Sequence, residues 1–158
     1  MHQLQTLLSG DFVRCNLSAV SRKRALQLIA EMIADEEAGA DVLFDALMSR
    51  ERLGSTGLGD GVAIPHCRVQ CSRLRAAFVS LPEGINYEAS DGEPVDLLFA
   101  LVVPQDEQQE HLDALAALAG VFSNADNRAA LRGCTTDDQL KQTICDQLAG
   151  QVPNAISA

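Results

Sequence analysis

Between residues 76 and 127 the chain carries no lysine or arginine, against ten acids. Over its full length 22 Asp and Glu outnumber 12 Lys and Arg, a formal net charge of -10. A surface of that sign excludes nucleic acid and anionic membranes as default partners, because both are bound through a positive footprint. No apolar run reaches the roughly 18 residues needed to cross a bilayer. The first eleven residues lack a basic stretch followed by an apolar one, so neither membrane insertion nor export is expected and the expected location is the cytoplasm. The five cysteines, Cys15, Cys67, Cys71, Cys134 and Cys145, are odd in number and irregular in spacing. They read as reduced thiols, not a disulfide framework. There is no Ser/Pro-rich linker and no repeat, so one domain over 1–158 is expected, with its core at about 5–148 and a tail from 149.

What is present is an interleaving of two periodicities. Helical spacing is expected over 3–8, 21–35, 41–50, 106–122 and 125–132, and in a last helix to about 148 that starts at a Thr136–Gln139 capping box. Strands are expected at 12–15, 61–65, 74–81, 85–89 and 95–103. The last of these is almost wholly apolar, as befits a central strand covered on both faces. The Asp91-Gly92 turn implies an antiparallel pair. The fold class is therefore α/β, a single domain with a mixed β-sheet flanked by helices.

The chemistry concentrates at residues 50–75, where five arginines face only Glu51 and Asp60. A glycine-punctuated loop with Gly54, Gly57, Gly59 and Gly61 leads into Val62-Ala63-Ile64-Pro65 and then His66. Pro65 suits a strand end, so His66 is expected to leave the sheet on a rigid, turned backbone. A neutral imidazole there can attack a phosphoryl group without a metal; the plainer reading is a histidine packed at a strand end. The loop's N–H groups could cradle an anion, or the loop could be a flexible connection. It is neither a P-loop nor a dinucleotide fingerprint. Arg50 falls at the end of the stripe Leu43, Ala46, Leu47, Arg50. Its guanidinium could hold phosphate oxygens, or serve as a C-terminal dipole partner or a snorkelling side chain. His111 borders a helical stripe near a helix N-terminus, which favours a neutral ring; the alternative is a satisfied core-edge histidine. His66, Cys67 and Cys71 lack the fourth ligand of a closed zinc site. Ser55 lies outside a Gly-x-Ser-x-Gly elbow, which argues against a serine hydrolase.

The run Arg50-Glu-Arg-Leu-Gly-Ser-Thr-Gly-Leu-Gly-Asp-Gly-Val-Ala-Ile-Pro-His66 resembles the active-site signature of type-2 enzyme IIA proteins of the bacterial phosphoenolpyruvate-dependent phosphotransferase system, mannitol/fructose class. Val95 to Pro104 followed by His111-Leu112 is similar to the family's second block, and the Ser21-Arg-Lys-Arg-Ala25 helix start also fits. The Gly-Ser-Thr-Gly loop resembles the nitrogen-regulatory branch. The resemblance implies the enzyme IIA fold, phosphorylation of His66, and a site lined by His111 and Arg50, with Ser55, Thr56, Gly57, Gly59 and Gly61 in the phosphoryl loop. It implies a transient phosphohistidine on a phosphotransferase component rather than a free-standing turnover enzyme, with neither cofactor nor metal. The implied partners are a histidine phosphocarrier protein as donor and regulated targets such as transporters or sensor kinases. A sugar-specific component passing phosphate to a permease is the alternative, and a phosphate-independent binding module a further one. Two positions depart from the family pattern: Asp60, where Asn or His is usual, and Cys67, where glycine is usual.

Overall fold

The computed structural model describes residues 12–150; the helix expected over 3–8 and residues 151–158 of the expected tail lie outside that range, while Ala149 ends the last helix. The described chain runs β1 (Val13–Arg14), α1 (Arg22–Ile33), α2 (Ala40–Leu53), β2 (Gly57–Gly59), β3 (Val62–Ala63), β4 (His66–Val69), β5 (Arg75–Ile85), β6 (Val95–Pro104), α3 (Gln109–Phe122), α4 (Ala125–Arg132) and α5 (Asp137–Ala149). The strands form one mixed sheet in the order β1-β5-β6-β3-β2, with β4 also pairing β6.

The apolar run of β6 is explained by its place at the centre. Leu98, Ala100 and Val102 pack into one core with α1 and α2. Leu97, Phe99, Leu101 and Val103 pack into a second core with α3, α4 and α5. Side chains alternate across a strand, so a strand covered on both faces has no polar position to spare. β5 runs antiparallel to β6 along one edge, as the Asp91-Gly92 turn requires.

Along the other edge β3 and β4 both run parallel to β6. Val62 pairs Leu97 and His66 pairs Leu101, so the register is the same on both sides of the break at Ile64-Pro65. Pro65 has no N–H for the ladder, but its carbonyl still accepts from Leu101 N–H at 2.9 Å. His66 thus does not leave the sheet as expected: it opens β4.

Two further expectations change. Residues 86–89 are not a separate strand; β5 continues instead to Ile85, across an irregularity after Ser80. The segment read as a loop is a β-hairpin, with β2 pairing β3 antiparallel around Asp60-Gly61. Both turn residues have positive φ, 60° and 82°, the pattern of the Asp-Gly turns that match strand twist in two-residue hairpins. Helix starts are read correctly where a side chain caps them. Ser21 Oγ accepts from Arg24 N–H at 3.1 Å and Thr136 Oγ1 from Gln139 N–H at 3.1 Å.

Candidate phosphoryl-transfer site

His66 heads β4, where alternation turns its ring away from Cys67, which packs with the α1/α2 core. The ring's Nδ1 lies 2.8 Å from the Ile64 carbonyl oxygen. A carbonyl only accepts, so Nδ1 carries the proton and donates, leaving Nε2 with its lone pair. Burial pulls the His66 pKa below its ordinary value of 6.5; the Ile64 hydrogen bond opposes this, and the charges of Arg50 and Arg68 reinforce it. The ring is thus held neutral near pH 7.

Two clefts meet at His66. One, of about 530 Å³, is lined by Arg50, Leu53, His66, Arg68 and His111 among others. The other, of about 320 Å³, is lined by Arg50, Ser55, Thr56, Gly57, Leu58, His66 and Leu115. Arg50 borders both. It is not the last buried member of its stripe, however: Leu43, Leu47 and Glu51 are fully buried in α2, and Arg50 lies beside them. Its Nη1 donates to the Gly54 carbonyl at 2.8 Å, the C-terminal role of the plainer reading, while the guanidinium still faces the clefts.

His111 is buried in the first turn of α3, its ring centroid 5.3 Å from that of His66. Burial lowers its pKa, and the neighbouring His66 and Arg68 add to the effect. Arg68 Nη2 donates to His111 Nδ1 at 2.8 Å. Arg68 was noted in the sequence only as one of a run of arginines. The signal that finds it is strand parity, since residue i+2 in a strand shares the face of residue i.

The expected loop residues divide. Ser55, Thr56 and Gly57 lie at the cleft beside His66. Gly59 and Gly61, expected around the phosphoryl group, are placed elsewhere: Gly59 faces the Asp91 carboxylate and Gly61 packs against Arg132. Nor is the loop an open cradle of N–H groups. Thr56 N–H donates to Glu51 Oε1 at 3.2 Å, Gly57 N–H to Ser55 Oγ at 3.1 Å and Asp60 N–H to Asp91 Oδ2 at 3.1 Å. The Thr56 hydroxyl is turned inward to Glu51 Oε2.

Glu51 was missed as a site residue. It is buried and receives Tyr87 O–H at 2.9 Å, with Arg22 at 3.7 Å. A carboxylate can stay buried when donors and a cation meet it in this way. It therefore anchors the start of the hairpin from below. The i, i+4, i+8 spacing Leu43, Leu47, Glu51 points to it.

Both departures from the family pattern fit this geometry. Asp60 occupies the left-handed region that Asp and Asn tolerate best among non-glycine residues. Its carboxylate lies 3.8 Å from Arg128, on the α4 side. Cys67 is absent from the positive-φ residues, so its position makes no demand for glycine. Burial pushes its thiol up to about 12, which keeps it protonated and unreactive.

Among the described residues no helix is long and apolar enough to cross a membrane. The family model described as phosphoenolpyruvate-dependent sugar phosphotransferase system, EIIA 2, matches residues 6–147. The chain is 40% identical over 154 residues to a nitrogen regulatory protein of Pseudomonas aeruginosa, covering 96% of this chain and 100% of that one. It is 40% identical over 147 residues to the nitrogen regulatory protein of Escherichia coli, covering 91% and 90% respectively. The crystal structure of the nitrogen regulatory protein IIA-Ntr from Neisseria meningitidis superimposes with a TM-score of 0.86 at 33% identity, over 90% of this chain and 99% of that one. IIA mannitol from Escherichia coli shares the fold, with a TM-score of 0.71 at 18% identity, over 87% and 98%. The chain thus belongs to the type-2 EIIA family of the phosphoenolpyruvate-dependent sugar phosphotransferase system, in its nitrogen-regulatory branch.

Proposed function

We propose that His66 accepts a phosphoryl group on Nε2 from a small histidine phosphocarrier protein in the cytoplasm, and that the protein regulates its partners by its phosphorylation state. The observation that carries this reading is the Nδ1 hydrogen bond to Ile64 O. It commits one ring nitrogen and leaves the other as a lone pair at a cleft bordered by Arg50 and His111.

In the transfer the Nε2 lone pair forms a bond to phosphorus as the donor's N–P bond breaks, and that electron pair returns to the donor's imidazole. Nδ1–H remains on Ile64 O throughout. Arg50 offsets the charge that arrives with the phosphoryl group, and His111 supplies an N–H to one of its oxygens. Such a reaction asks for positioning and charge stabilisation more than for covalent chemistry by the protein. A dianionic group then changes the docking face, enough to alter partner choice. The proposal extends to a single domain over the whole chain, with transporters or sensor kinases as the kinds of target.

Phosphoenolpyruvate, enzyme I and the phosphocarrier should add the mass of one phosphate to the wild-type protein and none to His66→Ala. Undiminished uptake by that variant would overturn the assignment. The family model's description names a sugar phosphotransferase system, so the phosphoprotein should also be mixed with membranes and candidate sugars. A stable phosphoprotein supports regulation; rapid sugar-dependent loss of phosphate supports the uptake alternative.

A further inference from the structure

Arg68 lies outside the residues so far given a role, yet its guanidinium is the most heavily committed side chain at the site. Nη1 donates to the carbonyls of Pro104 at 3.2 Å, Gln105 at 3.4 Å and Glu107, at the end of β6 and in the link from it to α3. Nη2 donates to His111 Nδ1. The planar fork makes both sets of contacts at once, which a single ammonium could not. An arginine has no acceptor to offer, so His111 Nδ1 must hold a lone pair and the proton of the neutral ring must sit on Nε2. That Nε2 is buried and has no hydrogen-bond partner among the described residues. It is a desolvated donor with nothing to donate to, beside the ring of His66. Left alone, such a group carries an uncompensated desolvation penalty, which an oxygen brought in on His66 would recover.

The two histidines are therefore set as opposite tautomers. His66 is protonated on Nδ1 by the demand of a carbonyl, and His111 on Nε2 by the demand of an arginine. One ring offers a lone pair and the other a donor. Without Arg68, no other bond among the described residues fixes the second of these states, and Nδ1–H would be as available to His111 as Nε2–H.

We propose that Arg68 is a positioning residue for phosphoryl transfer, fastening His111 to the β6–α3 link and holding it in the Nε2–H tautomer. This rests on the reading of His66 as phosphoryl acceptor. Arg68 acts through His111 and not on the phosphoryl group directly.

The test combines imidazole ¹⁵N NMR of the unphosphorylated protein with rates of phosphate uptake. In the wild type His111 should show the Nε2–H pattern and His66 the Nδ1–H pattern. Arg68→Met should turn His111 into a mixture of tautomers and slow phosphate uptake about tenfold, the equivalent of one hydrogen bond to a charged group. In a His111→Ala background the same substitution should cost less than about twofold, because non-additivity marks residues that act as a unit. Arg68→Gln, too short to reach the carbonyls and the ring together, is the second variant and should repeat both losses. A His111 that stays wholly Nε2–H in Arg68→Met would overturn the proposal. So would an equal loss of rate in both backgrounds. The NMR arm needs no phosphate, so it stands if wild-type protein fails to gain phosphate, a result that would sink the His66 reading instead.

Discussion

Glu51 and Thr56 are five residues apart, yet joined twice: the backbone N–H of Thr56 meets one carboxylate oxygen and its hydroxyl meets the other. The last turn of α2 is thereby fastened to the first residues of the hairpin that delivers His66. Tyr87 closes the group by donating to the same carboxylate and lying 3.1 Å from the Thr56 hydroxyl.

Glu51→Ala should leave the Thr56 N–H and one of the Thr56 and Tyr87 hydroxyls, which can still bond each other, as buried donors with no acceptor, a cost of about 3–5 kcal/mol for two such groups. Thermal unfolding should show a fall of roughly 6–20 °C at the 2–4 °C per kcal/mol expected for this chain length. Glu51→Gln keeps the shape and one acceptor, and should lose less. Both variants should take up phosphate more slowly while the label still maps to His66.

Gly57 is required by a close approach, not by its backbone angle. A Cβ there would meet Ala89 Cβ at 2.7 Å. Gly57→Ala should destabilise by about 1–3 kcal/mol, the usual cost of overpacking. Ala89→Gly in the same chain should restore part of that loss, since it removes the closest contact and leaves those to Ala89 Cα at 3.2 Å and Ser55 Oγ at 3.3 Å. Denaturant unfolding of the two single variants and the double variant closes the cycle.

Both site imidazoles are held below 6.5 in the folded protein, with burial the leading cause for each. Their NMR titration midpoints should fall below 6.5, and phosphate uptake should be lost only at pH values below that. The unfolded chain binds more protons than the folded one between those lowered midpoints and 6.5. Stability should therefore rise with pH across that window and level off above it. His66→Ala should flatten part of this slope, as measured by urea unfolding at pH 5.5 to 7.5.

Cys67 should be the slow thiol. A buried group held near 12 is almost wholly protonated at pH 8. Mass spectrometry after brief iodoacetamide treatment should find Cys71, which is half-buried, modified well before Cys67. Equal rates at the two positions would contradict the packing described for β4.

Much of the fold was legible because its signals are local. The apolar run of β6, the caps at Ser21 and Thr136 and the turn at Asp91-Gly92 each act within a few residues, and each was read for what it is. The hairpin was misread because two glycines, Gly57 and Gly59, hid a short strand; the informative pair was Asp60-Gly61, a turn signal overlooked among so many glycines. His66 and His111 were visible, and the structure brings their rings together. Arg68 and Glu51 were not seen in their roles, because each acts through partners distant in the chain: Arg68 through a residue 43 positions away, Glu51 through one 36 positions away. The position of Gly61 against Arg132 is likewise a tertiary fact that glycine content cannot convey.

The unbroken register across Pro65 has one more consequence. His66 and Cys67 stand on opposite faces of the same strand, one at a cleft and one in a core, and only parity decides which is which. An extra residue at the Asp60-Gly61 turn could be taken up by the turn and leave the pairing of His66 with Leu101 in place. The same insertion between Ala63 and His66 would put the imidazole in the α1/α2 core and the thiol at the cleft. The chain thus tolerates length changes on one side of a two-residue strand and not on the other, and the site is addressed by counting along β6 from Leu97 to Leu101.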